Sequence, residues 1–114
     1  SIKSSLLQML DKIKKDGKTI VGYGAAAKAN TLTGYFGIGS NYLEAIADLS
    51  KFKQGLFFSG NHLPIVPPAE ISEKNYDYML ILAWNFANEI MEQQQEFKNK
   101  GGKFIIPIPE PRIV

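Results

Sequence analysis

The 114 residues contain no cysteine, so the chain has no disulfide framework, no thiolate metal site and no cysteine nucleophile. A single histidine builds no zinc site unless carboxylates complete it, and no metal is expected. Excess charge of one sign is also scarce. Thirteen basic against eleven acidic side chains leave a formal +2, too little for a nucleic-acid footprint, and the lysines are scattered. No apolar run reaches the length of a membrane span and no signal-peptide pattern opens the chain. A cytoplasmic protein with neither a membrane nor a nucleic-acid partner is therefore the expectation. Internal repeats and low-complexity tracts are missing too. What is present is 45% hydrophobic and 21% charged, ordinary globular material that suffices for one core but not for two. The chain starts at Ser1 without an initiator Met and runs straight into a helical pattern. The expectation is one domain over residues 1–114, a fragment of something longer.

The most informative stretch is Thr19–Asn30, T-I-V-G-Y-G-A-A-A-K-A-N. A short apolar run enters a glycine pair and then an alanine-rich segment, the pattern of strand, tight turn and helix. Gly22 is expected to permit the turn, and Gly24 to let something approach the backbone. Ala27 stands at the third small position of G-x-G-x-x-G/A, where the helix packs close on the sheet. Unpaired N–H groups at a helix start carry the positive end of its dipole and welcome an anion. Lys28 opposes that dipole unless a phosphate lies in front of it. The stretch reads either as a phosphate-cradling turn or as a glycine-rich loop that merely packs tightly.

Along the chain, Leu6, Leu7, Leu10 and Ile13 recur at helical spacing, and Gly17 is the natural left-handed cap. A first strand is predicted over Lys18–Tyr23 and a helix over Ala25–Phe36. A second strand over Leu43–Leu49 contains Asp48, about twenty residues past the glycine turn. In dinucleotide folds an acid there accepts from ribose hydroxyls; the alternative is an Asx-turn with Ser50 and Lys51. Ile65-Val66 fits a short buried strand closed by Pro67. The loop before it gathers Phe57, Phe58, Gly60, Asn61 and His62, more polar and aromatic machinery than a plain connector requires. Ala69–Asn75 reads as a short helical turn. Tyr76–Ala83 is nearly continuously apolar, as a central parallel strand buried on both faces must be.

Trp84-Asn85 follows at that strand's carboxyl end, Trp84 either a stacking platform for a base or a core plug. Asn85 is placed to cap a helix over Phe86–Lys100 with Phe86, Ile90 and Phe97 as its core stripe. A last strand runs over Lys103–Ile108. This alternation implies an α/β, Rossmann-like three-layer sandwich: a parallel sheet of about five strands in the order 3-2-1-4-5, with helices on both faces. Ligands in such sheets bind beyond the carboxyl ends of the strands, at the switch point.

The run V-G-Y-G-A-A-A-K-A, then Tyr35-Phe36-Gly37-Ile38, Lys53-Gln54-Gly55 and Gly60-Asn61-His62-Leu63-Pro64-Ile65 resembles one family's C-terminal domain. So does D-Y-M-L-I-L-A-W-N-F-A-N-E-I with its tail G-G-K-F-I-I-P-I-P. The family is the S-adenosylmethionine-dependent sugar C-methyltransferases acting on nucleotide-linked deoxysugars, typically TDP-4-keto sugars. The resemblance implies a three-part parent with a zinc-binding part, a part that binds S-adenosylmethionine and this Rossmann-like domain, which helps to bind the sugar nucleotide. It implies no cofactor and no catalytic residue in this domain. The substrate-binding residues it implies are Gly22, Tyr23, Gly24, Ala25, Ala26 and Lys28 of the glycine turn, His62 of the loop, and Trp84 with Asn85; Asp48 joins them from the strand pattern. The chain departs from the family at Ser59, where Pro more often precedes the glycine. Two other readings stay open: a nicotinamide-binding domain of an oxidoreductase, from G-x-G-x-x-A and Asp48, and a structural or oligomerisation domain that binds nothing.

Overall fold

In the computed structural model, residues 1–24, 34–48 and 63–114 are described, together with the backbone of Phe57 and Phe58. Ala25, Ala26, Lys28 and His62 lie outside the described residues.

Helix α1 (Ile2–Lys15) begins on Ser1, whose hydroxyl accepts the Ser4 N–H at 3.2 Å. It ends with Lys12, Lys14 and Lys15 against the negative end of its dipole. Its buried face is Leu6, Leu10 and Ile13. Gly17 then adopts φ +75°, the reversal that its lack of a Cβ favours. Strand β1 (Ile20–Tyr23) is buried throughout. Strand β2 is Ala45–Ala47, β3 Phe57–Phe58, β4 Leu63–Val66, β5 Tyr78–Ile81, β6 Lys103–Ile106 and β7 Arg112–Ile113.

The sheet order is β3-β4-β2-β1-β5-β6-β7. The five strands β4, β2, β1, β5 and β6 are parallel to their neighbours, which is the predicted 3-2-1-4-5 order. Two short antiparallel strands, β3 on β4 and β7 on β6, flank that parallel core. The last ladder is carried on by Phe104 and Val114, each donating its N–H to the other's carbonyl at 3.0 and 2.8 Å.

Side chains alternate across the sheet, so the two faces carry two cores. On one side Ile20, Ile46, Leu80, Leu82 and Ile105 meet Leu6, Leu10 and Ile13 of α1, together with Phe36, Ile38 and Leu43. On the other side Val21, Tyr23, Met79, Ile81, Phe104 and Ile106 meet Ile71 of α2 (Glu70–Lys74), Ala87 and Ile90 of α3 (Ala87–Gln93) and Phe97 of α4 (Gln95–Asn99). This is the three-layer α/β sandwich. At the amino edge of the sheet, Asp77 and Thr19 lock β5 to β1. Asp77 Oδ2 accepts the Thr19 N–H at 2.9 Å and its hydroxyl at 3.1 Å, and the Asp77 N–H donates to Thr19 Oγ1 at 3.2 Å.

The predicted helix over 86–100 differs in its details. It opens with a 3-10 turn at Trp84–Phe86 and breaks at Gln94, where φ −105° and ψ 35° leave the helical range. Phe86 holds the cap position of α3 with no side-chain cap bond, and Asn85 lies inside the turn, so the expected Asn85 cap is not made. The stripe is Ala87, Ile90 and Phe97, while Phe86 is 55% exposed. The tighter turn starts the α-helix one residue later than the pattern predicts and rotates Phe86 off the buried face. Among the described residues no helix is long and apolar enough to cross a membrane.

Candidate functional site at the carboxyl edge

The switch point lies between β1 and β5, whose neighbours β2 and β6 lead away in opposite directions. There the ladder continues past the strands. The Leu82 N–H donates to Tyr23 O at 2.8 Å, and the Gly24 N–H to Ala47 O at 3.1 Å. The two glycines of the motif have different tasks. Gly22 lies inside β1, paired with Ile46 and Leu80, rather than in the turn. A Cβ on it would stand 3.0 Å from Leu82 Cδ1 and 3.2 Å from Leu43 Cδ1, so its bareness leaves room for core side chains. Gly24 has φ +148°, and a Cβ there would lie 2.7 Å from the backbone nitrogen of Ala83. What approaches Gly24 is the end of β5.

Beside this contact opens a cleft of about 460 Å³. Tyr23, Gly24, Ala83 and Ile90 form its interior and Asp48 one wall; Phe86, Glu89 and Gln93 stand at its rim. Asp48 is the buried polar side chain of the described core, 7% exposed. Its backbone N–H donates to Val66 O at 3.0 Å and ties the end of β2 to β4. Burial pushes the Tyr23 phenol above its ordinary pKa; a side-chain hydrogen bond with Gln94 opposes that shift and the negative charge of Asp48 adds to it. Tyr23 therefore presents a protonated hydroxyl at neutral pH.

Of the predicted site residues, the fold brings Tyr23, Gly24 and Asp48 to this one cleft. Trp84 goes elsewhere. It is half-buried against the core on the α1 side of the sheet and lines a separate groove with Ile2, Tyr35, Phe36 and Ile108. Asn85 is exposed. The aromatic ring at the cleft's rim is that of Phe86, which the sequence pattern assigns to the core. No phase signal marks it: at about 100° per residue Phe86, Ile90 and Phe97 fall within about 40° of one another, and only the 3-10 turn at Trp84–Phe86 takes Phe86 off that stripe. No group of three or more His, Asp or Glu side chains suited to a metal occurs among the described residues.

The comparisons with known proteins agree on a family. The family model described as the C-methyltransferase C-terminal domain matches residues 1–109. C-methyltransferase NovU of Streptomyces niveus is 37% identical over 113 residues, 99% of this chain and 27% of NovU. The chain thus spans about a quarter of the length of the curated relative that it matches. An α/β sandwich with its cleft at the switch point, and a match running through every parallel strand, leave one assignment: this chain belongs to the C-methyltransferase C-terminal domain family.

Proposed function

We propose that this chain is the sugar-nucleotide-binding domain of an S-adenosylmethionine-dependent C-methyltransferase acting on a TDP-linked keto-deoxysugar. The observation that carries the reading is the cleft at the carboxyl edge, where Tyr23, Gly24 and Asp48 converge at the position where open α/β sheets hold ligands. The glycine turn, with Ala25, Ala26 and Lys28, is assigned to the diphosphate, since backbone N–H groups and one cation suffice to hold it. His62 is assigned to the substrate through its loop. In this reading the parent enzyme works in deoxysugar biosynthesis, and its other parts bind zinc and S-adenosylmethionine.

C-methylation beside a ketone needs a base to remove a proton and a group to stabilise the enolate. We assign both to the parent's other parts and no catalytic residue to this domain. The cleft fits S-adenosylmethionine poorly as a whole. Asp48 and Glu89 would suit its sulfonium, but its carboxylate would face the same two acids.

Calorimetric titration of this chain with TDP, NAD and S-adenosylmethionine in parallel tests the reading. Binding of TDP alone is expected. Binding of NAD instead would favour the oxidoreductase reading, and binding of S-adenosylmethionine would move the methyl donor into this domain. Silence from all three in both this chain and the full-length parent would leave a scaffold.

A further inference from the structure

The groups around the cleft are not those that a phosphate selects. Asp48 is buried in the wall and Glu89 stands exposed on the rim, and among the described residues no lysine or arginine lines it. A diphosphate placed there would meet two like charges. Hydroxyl groups would meet acceptors, and the protonated Tyr23 supplies a donor. Apart from the Gln93 amide at the rim, the rest of the lining is apolar. Ala83 and Ile90 are buried beneath, and the Phe86 ring stands 55% exposed at the mouth. A large aromatic left that open, beside carboxylates and over an apolar floor, offers a flat face for a base or for the C–H face of a sugar ring.

Resting on the sugar-nucleotide reading above, we propose that this cleft takes the uncharged, hydroxyl-bearing part of the ligand. That part lies against Phe86, its hydroxyls donate to Asp48 and Glu89, and the diphosphate lies outside. Nucleoside and hexose share this chemistry. Phe86 is then a specificity-determining residue, in the role that the sequence pattern offered to Trp84.

The test compares TDP-glucose, TDP and inorganic pyrophosphate binding to the wild type, Phe86→Ala and Glu89→Gln by calorimetry. Phe86 is exposed, so Phe86→Ala is expected to keep the wild-type circular dichroism spectrum. It should weaken TDP-glucose about tenfold or more, the lower range of a stacked ring, and leave pyrophosphate unchanged. Equal weakening of TDP would place the nucleoside on Phe86; weakening of TDP-glucose alone would place the hexose there. Glu89→Gln should weaken TDP-glucose or leave it unchanged. Should Glu89→Gln tighten both TDP-glucose and pyrophosphate, the diphosphate lies in the cleft and the proposal is overturned. It is equally overturned if the wild type binds TDP-glucose and Phe86→Ala binds it as well. If neither this chain nor the full-length parent binds TDP-glucose, the sugar-nucleotide reading itself has failed.

Discussion

Replacing Gly24 with alanine separates two reasons for that glycine. If it were bare only to admit a ligand, the unliganded protein would tolerate a methyl group. The fold argues otherwise, because φ is +148° and the new Cβ would lie 2.7 Å from Ala83 N and 3.0 Å from Ala83 Cβ. The first of these atoms is backbone, held by the Leu82 hydrogen bond to Tyr23, so it cannot swing aside as a side-chain tip does. A non-glycine residue in such a conformation costs about 1–3 kcal/mol. Overpacking a tight contact costs about 1–3 kcal/mol more. Together Gly24→Ala should lose about 2–6 kcal/mol, a sizeable part of the ~5–15 kcal/mol that holds a domain together, and lower Tm by about 8–24 °C.

Urea denaturation followed by circular dichroism, with the single tryptophan as a second probe, measures this. Two companions calibrate it. Gly17→Ala, at φ +75° with nothing within 4 Å, should cost only the conformational part, about 1–2 kcal/mol. Gly22→Ala meets the movable ends of Leu82 and Leu43 and should fall below Gly24→Ala. A Gly24→Ala protein within about 0.5 kcal/mol of wild type, the scatter of neutral surface changes, would refute the close-packing account.

Asp77→Ala removes the acceptor of both Thr19 bonds and should cost about 1–3 kcal/mol at pH 7. The hydrogen bond from the Thr19 backbone holds the Asp77 carboxyl below its ordinary range, against some desolvation; the Thr19 hydroxyl and Lys18 reinforce it. Its contribution is therefore complete above the unfolded value, near pH 4, and is lost as pH falls through the folded one. Denaturation curves of wild type and variant should converge at low pH. For Tyr23 the sign is opposite. Burial raises its folded value, so it stabilises below about pH 10 and that stability is lost as pH rises through the folded pKa; Tyr23→Phe should flatten the alkaline limb of a Tm-against-pH profile. Phe104→Ala empties a fully buried site packed on Phe97 at 5.5 Å between ring centroids and should cost about 3–5 kcal/mol in urea. Lys28→Ala should weaken TDP by about 1–3 kcal/mol, the worth of a charge-assisted bond; unchanged calorimetric affinity would remove Lys28 from the site.

The parallel core was legible because burial on both faces writes long apolar runs. Met79, Leu80 and Ile81 could only belong to a central strand, and the alternation with helices fixed its neighbours. The edge strands were not legible. Phe57–Phe58 and Arg112–Ile113 are two residues each, too short to express a period of two. The break at Gln94 has no glycine or proline to announce it, since E-Q-Q-Q-E reads as continuous helix. At the cleft, Tyr23, Gly24 and Asp48 were legible from strand ends. The placement of Trp84 and Phe86 depended on a single turn of 3-10 geometry, which moved one aromatic toward α1 and set the other at the cleft's rim.

The pairing of Val114 with Phe104 bears on how this protein is handled. The last residues form a hem along β6, whose backbone would otherwise be bare beside the buried Phe104 and Ile105. A preparation clipped after Pro109 would keep every residue of the family match and yet present a raw strand to its neighbours, an invitation to fibrils and mixed oligomers. Loss of residues 110–114 from a preparation should therefore show up first as turbidity rather than as lost ligand affinity.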